Sequence, residues 1–207
     1  MAANKKQQIV TPRAIAVYPW LNTPDTKFSS DGEFKVTLKI GPDEAQPLIQ
    51  KIGDVIEDYR NEQTKKDPKV ARYSDMLPYE EEVDDQGNLT GNFLFKFKQK
   101  AKIHTKDGRT IDMKIALYDA QRTPTDVIIG GGSEIKVAAT LWPYVLPTTK
   151  SVGVSLRPSA VQILSLVSLG GSKMADLFAE EDGFVANSNS APASAIDEEE
   201  DIDAADF

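Results

Sequence analysis

Residues 93–118, FLFKFKQKAKIHTKDGRTIDMKIALY, decide the fold class. Apolar residues alternate with basic or polar ones over 93–103 and again over 110–118, which is the period of a half-buried β-strand. Between the two runs stands Asp107-Gly108, a strong signal for a hairpin turn. The stretch therefore predicts two antiparallel strands joined through residues 106–109.

The same period predicts further strands at 14–20, 33–40, 134–145, 152–157 and 161–169. Behind the Gly41-Pro42 breaker the period becomes helical, so 43–63 is predicted as one amphipathic helix. Residues 64–92 are polar and are predicted as a long, partly mobile loop, and a short helical segment is expected at 174–178. Many short strands with one intervening helix favour a mainly β fold, an OB-fold-like small β-barrel.

Charge divides the 207-residue chain into two parts. The net charge is −8, but ten acidic residues and no basic residue lie in 179–207, which leaves 24 basic and 22 acidic residues and a net charge of +2 in 1–178. Residues 187–195, NSNSAPASA, are typical of a flexible linker. We therefore predict a folded domain over 1–178 and a disordered acidic C-terminal tail over 179–207.

Several classes of protein are disfavoured by composition. With no Cys there is no disulfide, thiolate nucleophile or cysteine-ligated metal. Residues 1–10 lack the apolar region of a secretory signal, and the longest apolar run, 161–169, is about half a bilayer span. We expect a soluble intracellular protein.

The quoted stretch also carries the candidate binding site, because 92–114 has a net charge of +5. Its alternate lysines share one strand face and stand about 7 Å apart, a spacing close to the phosphate step of an extended single strand. Other strands place cations and large aromatic rings on the same outward side, where cations bind phosphates and rings stack on bases. The predicted DNA-binding residues are Lys35, Lys39, Lys96, Lys98, Lys100, Lys102, Lys106, Arg109, Lys114, Tyr118, Lys136, Trp142 and Tyr144. The alternative is that the lysine row has no ligand and is only a solvated strand face, or an edge strand that its lysines protect from aggregation.

Behind the linker, residues 197–207 (DEEEDIDAADF) form an acidic run that ends in an aromatic residue. In this the chain resembles phage-encoded single-stranded DNA-binding proteins of the OB-fold replication type, and Asp206-Phe207, where bacterial tails have Pro-Phe, favours the phage group. The resemblance implies a sequence-nonspecific protein that coats and protects single-stranded DNA in replication and recombination, in the cytoplasm of an infected bacterium. It also implies a tail that competes for the DNA groove and docks replication proteins such as a DNA polymerase through Asp197, Glu198, Glu199, Glu200, Asp201, Asp203, Asp206 and Phe207.

The sequence supports an enzymatic function less well than a DNA-binding one. Glu134-x-Lys136, with Asp119 or Asp126 upstream, resembles the constellation of restriction-like metal-dependent nucleases, but the acid-x-Lys pattern also occurs elsewhere in the chain, for example at Asp25, Glu33 and Asp112. The single histidine, His104, has no identifiable catalytic partner, and the Gly130–132 loop lacks the lysine of a P-loop. We predict no enzyme, no metal and no cofactor. A nuclease and a protein-only interaction adaptor remain the alternatives, and the sequence leaves RNA binding, strand annealing and self-association open.

Overall fold

The computed structural model describes residues 7–105 and 107–167. The strands are β1 (Gln7–Val10), β2 (Ala14–Asp25), β3 (Glu33–Ile40), β4 (Ser74–Met76), β5 (Tyr79–Val83), β6 (Leu89–Lys100), β7 (Lys102–His104), β8 (Thr110–Asp112), β9 (Ala116–Tyr118), β10 (Glu134–Leu146) and β11 (Ser151–Ser165). One α-helix, α1 (Pro42–Thr64), and one 3₁₀ helix, Pro68–Arg72, complete the described part.

Five strands pair in a circuit with the order β2, β3, β6, β11, β10 and back to β2. Three of these pairings are long and antiparallel, whereas β6 and β11 run parallel and meet in register only at Phe97 and Leu156. The seam between β10 and β2 is also short, at Glu134 and Ile135. This confirms the predicted mainly β, OB-fold-like architecture.

The core follows from the alternation that the sequence shows. In β3 every second side chain, from Phe34 to Ile40, is buried, and Phe95 and Phe97 of β6 are among the largest fully buried side chains. Helix α1 begins with Pro42 and has two acids in its first turn, both favourable at a helix N-terminus. Its apolar stripe packs on β6, β10 and β11.

The segment 64–92 is not the long loop that was predicted. It contains the 3₁₀ helix, β4 and β5. Asp67 accepts a bond from the Lys69 N–H at the start of the 3₁₀ helix, and Val70 is buried. Strand β5 pairs with β6 through its backbone, and such pairing along an edge needs no alternating apolar pattern.

The predicted hairpin is correct only near its turn. Strands β7 and β8 form three residue pairs, but the first run is broken at Ala101, whose N–H bonds to the carbonyl of Gly32. The second run is broken after Asp112, and β9 pairs with β11 instead of β6. Backbone partners from outside the hairpin therefore cut both strands short.

Three smaller differences concern strand limits. The strands predicted at 152–157 and 161–169 are one strand, β11, in which Pro158 is accommodated where the register with β10 shifts. Strand β2 extends to Asp25, five residues beyond its predicted end, and β1 was not predicted. No helix in the described residues is long and apolar enough to cross a membrane. The predicted segment 174–178, the linker, the tail and the domain boundary at 178 lie outside the described residues.

Candidate nucleic-acid interface

The lysines of β6 point away from the core. Lys96, Lys98 and Lys100 are exposed, and the residues between them are buried, as the alternation predicts. Lys102 continues the exposed row in β7. The row stands beside β3, where Lys35 lies directly opposite Lys98. We call the outward side of β3 and β6 the lysine face; it holds Lys35, Lys39, Lys96, Lys98 and Lys100.

The lysine face occupies the position that OB-folds use for oligonucleotides, because β3 and β6 are the second and third strands of the five-strand circuit. Its cations line two adjacent strands about 4.8 Å apart. An extended chain of phosphates lying along these strands can therefore contact both rows.

Three of the five cations already have carboxylate partners. Lys35 Nζ lies 2.5 Å from Asp25 Oδ2, Lys96 Nζ lies 2.8 Å from Glu80 Oε2, and Lys39 Nζ lies 3.2 Å from Glu82 Oε1. Lys98 and Lys100 form no ion pair within the described residues. A bound phosphate meets free ammonium groups at these two positions and must displace a carboxylate at the others.

Two of the partner carboxylates, those of Asp25 and Glu82, have pKa values below their ordinary ones. The pKa of Asp25 is lowered, first by the hydrogen bond that Lys35 donates and then by the backbone N–H of Lys27. The pKa of Glu82 is lowered by hydrogen bonds from Asn92 and Thr90, with Lys39 contributing less. The sequence could not predict that these carboxylates pair with the lysines. Glu80 and Glu82 lie in the segment that was predicted as a loop, and Asp25 lies beyond the predicted end of its strand.

Exposed aromatic rings border the lysine face on the side of β2. Trp20 pairs with Lys35 across β2 and β3, and Phe28 is 84% exposed with the Nζ atoms of Lys27 and Lys35 at 5.5 and 6.0 Å from its ring centroid. Tyr18 is 81% exposed and has a φ of +49° where the register between β2 and β3 shifts. None of these rings was in the predicted site. For Tyr18 and Trp20 the signal that could have found them is Pro19 within a strand, which marks an irregularity that redirects side chains.

The aromatic residues that were predicted lie elsewhere on the circuit. Trp142 of β10 lies beneath the Arg157 guanidinium, 4.0 Å from its ring centroid, and burial lowers the pKa of Arg157. Tyr144 is partly buried, which raises its pKa. Because β11 separates β10 from β6, Trp142 is two strands away from the lysine face.

Lys136 and Tyr118 lie together at another part of the sheet. They line a 290 Å³ groove with Val10 and Arg122, on the outer side of β9, β10 and β11. By the strand rise, Lys136 is about 20 Å along β10 from Trp142. The structure therefore does not bring the predicted rings and the lysine row together on one surface.

The hairpin cations have mixed surroundings. Arg109 is exposed and its Nε donates to Asp107 Oδ2 at 2.6 Å, and Lys102 and Lys114 line a recess at the base of the hairpin. Lys106 lies outside the described residues. His104 is not isolated, since its Nε2 lies 3.1 Å from Asp31 Oδ2 and its Nδ1 3.0 Å from Thr110 Oγ1.

A basic recess of about 410 Å³ lies between the 3₁₀ helix and the turn from β10 to β11. Lys69, Arg72 and Lys150 line it together with Pro68 and Tyr73, and the three cations form no ion pair within the described residues. The sequence reading missed this recess because it placed residues 64–92 in a mobile loop.

The residues of the nuclease alternative do not form a metal site in the structure. Glu134 is paired with Arg13, at 3.2 Å between Oε2 and Nη1. In residues 7–105 and 107–167 no group of three or more His, Asp or Glu side chains could hold a metal ion. The tail residues 197–207 are outside the described part.

Comparison with known proteins identifies a family to which the chain is similar. A family model described as single-stranded DNA-binding protein, bacteriophage T7, matches residues 13–166. The single-stranded DNA-binding protein of Escherichia phage T7 is 34% identical over 138 residues, which are 64% of this chain and 59% of that protein. The corresponding protein of Enterobacteria phage T3 is 32% identical over 108 residues, 50% of this chain and 47% of that protein. The matches thus span about half the length of these relatives.

Solved structures agree on the fold. The crystal structure of gp2.5, a single-stranded DNA-binding protein encoded by bacteriophage T7, has a TM-score of 0.65 and 27% identity, with 88% of this chain and all of that chain covered. A single-stranded DNA-binding protein from bacteriophage Enc34, solved in complex with single-stranded DNA, has a TM-score of 0.54 at 12% identity, covering 83% of this chain and 96% of that one. The second likeness is one of fold alone.

Proposed function

This chain belongs to the single-stranded DNA-binding protein family of bacteriophage T7, and we propose that it binds single-stranded DNA without sequence specificity, coating and protecting it during phage replication and recombination. The observation that supports this most directly is the lysine face. Lys98 and Lys100 are free for phosphates, and Trp20 and Phe28, next to Lys35 at the border of the same face, are rings on which bases can stack. The chain is a binding protein and not an enzyme, and it acts in the cytoplasm of the infected bacterium.

The acidic tail has two roles in this proposal. Its seven acids between Asp197 and Asp206 compete with DNA for the basic body, and once released the tail docks a replication protein such as a DNA polymerase through Phe207 and its carboxylate. The support is charge complementarity between a tail without any basic residue and a body with a net charge of +2.

Fluorescence anisotropy of a labelled oligo(dT) of about 25 nucleotides tests both roles at two salt concentrations. The full chain should bind tightly at low salt, with log affinity falling by about 0.7 per phosphate contacted for each log unit of salt. A chain ending at Ala195 should bind more tightly than the full chain at low salt. Salt-independent binding would contradict the lysine face, equal affinity of both forms would contradict competition by the tail, and Mg²⁺-dependent loss of the oligonucleotide would favour the nuclease.

A further inference from the structure

A recess of about 610 Å³ lies between the connection from β2 to β3 and the base of the β7–β8 hairpin. Its size is in the range of pockets that hold small ligands. The recess starts where the lysine row ends: after Lys100 comes Ala101, tied by its N–H to the Gly32 carbonyl at 2.9 Å, and then Lys102, which lines the recess. A strand that follows the row is therefore led to this recess.

The floor of the recess is apolar and fixed. Leu21, Phe34, Ala101, Ile115 and Leu117 line it, and each is at most 8% exposed. On one wall the side chain of Asn22 donates to the carbonyls of Asp126 and Val127 and accepts from the Ile129 N–H, which anchors the 126–129 segment. Such a floor accepts the flat apolar face of a ring.

The rim carries ionic groups of both signs that have no partner. Lys102, Lys114, Asp112 and Asp126 line the recess, and none of their side chains forms an ion pair or hydrogen bond with any described residue. Lys102 and Asp112 are even register partners across β7 and β8, yet no ion pair joins them. The only other acid of the lining, Asp31, is bound to His104. Two free ammonium groups and two free carboxylates thus surround an apolar floor.

This combination matches one nucleotide, which has an anionic phosphate, a flat apolar ring and polar groups on the ring edge. We infer that the recess takes one base of the single strand bound on the lysine face, with the lysines at the phosphates and the free carboxylates at the edge of the base. This rests on the proposed function and deepens it. The ligand class follows from the carboxylates: they accept from the exocyclic amino group of cytosine, adenine or guanine, whereas uracil and thymine have carbonyls and no amino group.

The protein should therefore prefer single strands rich in bases with an amino group, without recognising a particular sequence. Oligo(dC) should bind more tightly than oligo(dU), two polymers that share a pyrimidine ring and differ at its amino or carbonyl edge. The expected difference is about fivefold, the effect of one charge-assisted hydrogen bond at a partly exposed site.

The test uses the full chain and labelled 20-nucleotide oligo(dC) and oligo(dU) at pH 8, with anisotropy as the readout. Asp112→Asn and Asp126→Asn remove the carboxylates, and Asp58→Asn on α1, outside the recess, removes the same charge as a control. All three variants should gain some affinity for both polymers, because a negative charge is lost. Only the two recess variants should bring the ratio of the two affinities close to one.

The outcomes separate the two proposals. Equal affinity of the wild-type chain for both polymers, or a ratio that Asp112→Asn and Asp126→Asn leave unchanged, overturns the base recess while single-stranded DNA binding stands. A ratio reduced equally by Asp58→Asn also overturns it, since that effect belongs to net charge. Failure of the wild-type chain to bind either polymer overturns the proposed function itself.

Discussion

Replacing Lys98 and Lys100 by alanine should weaken binding of single-stranded DNA more than any other pair of substitutions on the lysine face. Both side chains are exposed on β6 and neither is paired with a carboxylate in the described residues, so each is free to contact a phosphate. The partner strand places Lys35 opposite Lys98, but Lys35 must first leave Asp25.

The size of the effect follows from counting contacts. Each phosphate contact to a single strand contributes a slope of about 0.7 to the dependence of log affinity on log salt, so two lost contacts reduce the slope by about 1.4. At 0.1 M salt the same two contacts account for a loss of about 25-fold in affinity, which disappears as the salt approaches 1 M. Lys96→Ala should have less than half of this effect, because Lys96 is already neutralised by Glu80.

The measurement is a series of anisotropy titrations with oligo(dT) between 0.05 and 0.5 M salt. A matched control replaces Lys65 and Lys66, which follow α1 and are not on the lysine face, and so removes the same charge. If the double variant keeps the wild-type salt slope, or the control loses as much affinity, then Lys98 and Lys100 do not contact phosphates and the row is a solvated strand face.

Three further changes probe other parts of the molecule. Trp20→Ala should weaken oligo(dT) binding by about 1 to 3 kcal/mol through loss of stacking, with an unchanged melting temperature; equal affinity would remove Trp20 from the interface. Asp25→Asn should raise affinity at low salt by freeing Lys35. The pKa of Asp25 is lowered in the folded state, so the ionised carboxylate stabilises the fold above its ordinary pKa of 3.8, and this stabilisation is lost as the pH falls through the lower folded pKa. The melting temperatures of variant and wild type should therefore differ at pH 6 and converge in strong acid. Gly153→Ala should destabilise the fold by roughly 1 to 3 kcal/mol in urea unfolding, since a Cβ there would lie 2.8 Å from both the backbone carbonyl oxygen of Met76 and the hydroxyl of Tyr144; an unchanged midpoint would contradict these contacts.

The sequence predicted those features of the fold and the site that depend on a pattern within a single strand or helix. Strand β3 has the predicted limits and α1 nearly so, because alternation and helical period are local properties of the sequence. The outward direction of Lys96, Lys98 and Lys100 follows from the same local alternation. The family resemblance came from the composition of the tail and the size of the chain, and the match over 13–166 confirms it.

What escaped prediction depends on contacts between distant residues. Strand β5 exists because β6 offers an edge, and the carboxylates of Glu80 and Glu82 reach the lysine face only through that pairing. The rings of Trp20 and Phe28 are placed by an irregularity of β2 and by the loop after it, whose course no periodic pattern encodes. The position of Trp142 two strands away follows from the order of the strands, which alternation does not reveal.

The circuit of strands has a consequence for how the protein is made. Its last member, β11, is the neighbour of both β6 and β10, and it is translated only after residue 150. Until then a nascent chain exposes the edge of β10 and the stretch of β6 around Phe97, which β5 does not cover, to every other chain on the polysome. Ribosomes that stall before β11 should therefore yield aggregated fragments, whereas chains released after residue 165 can close the circuit at once.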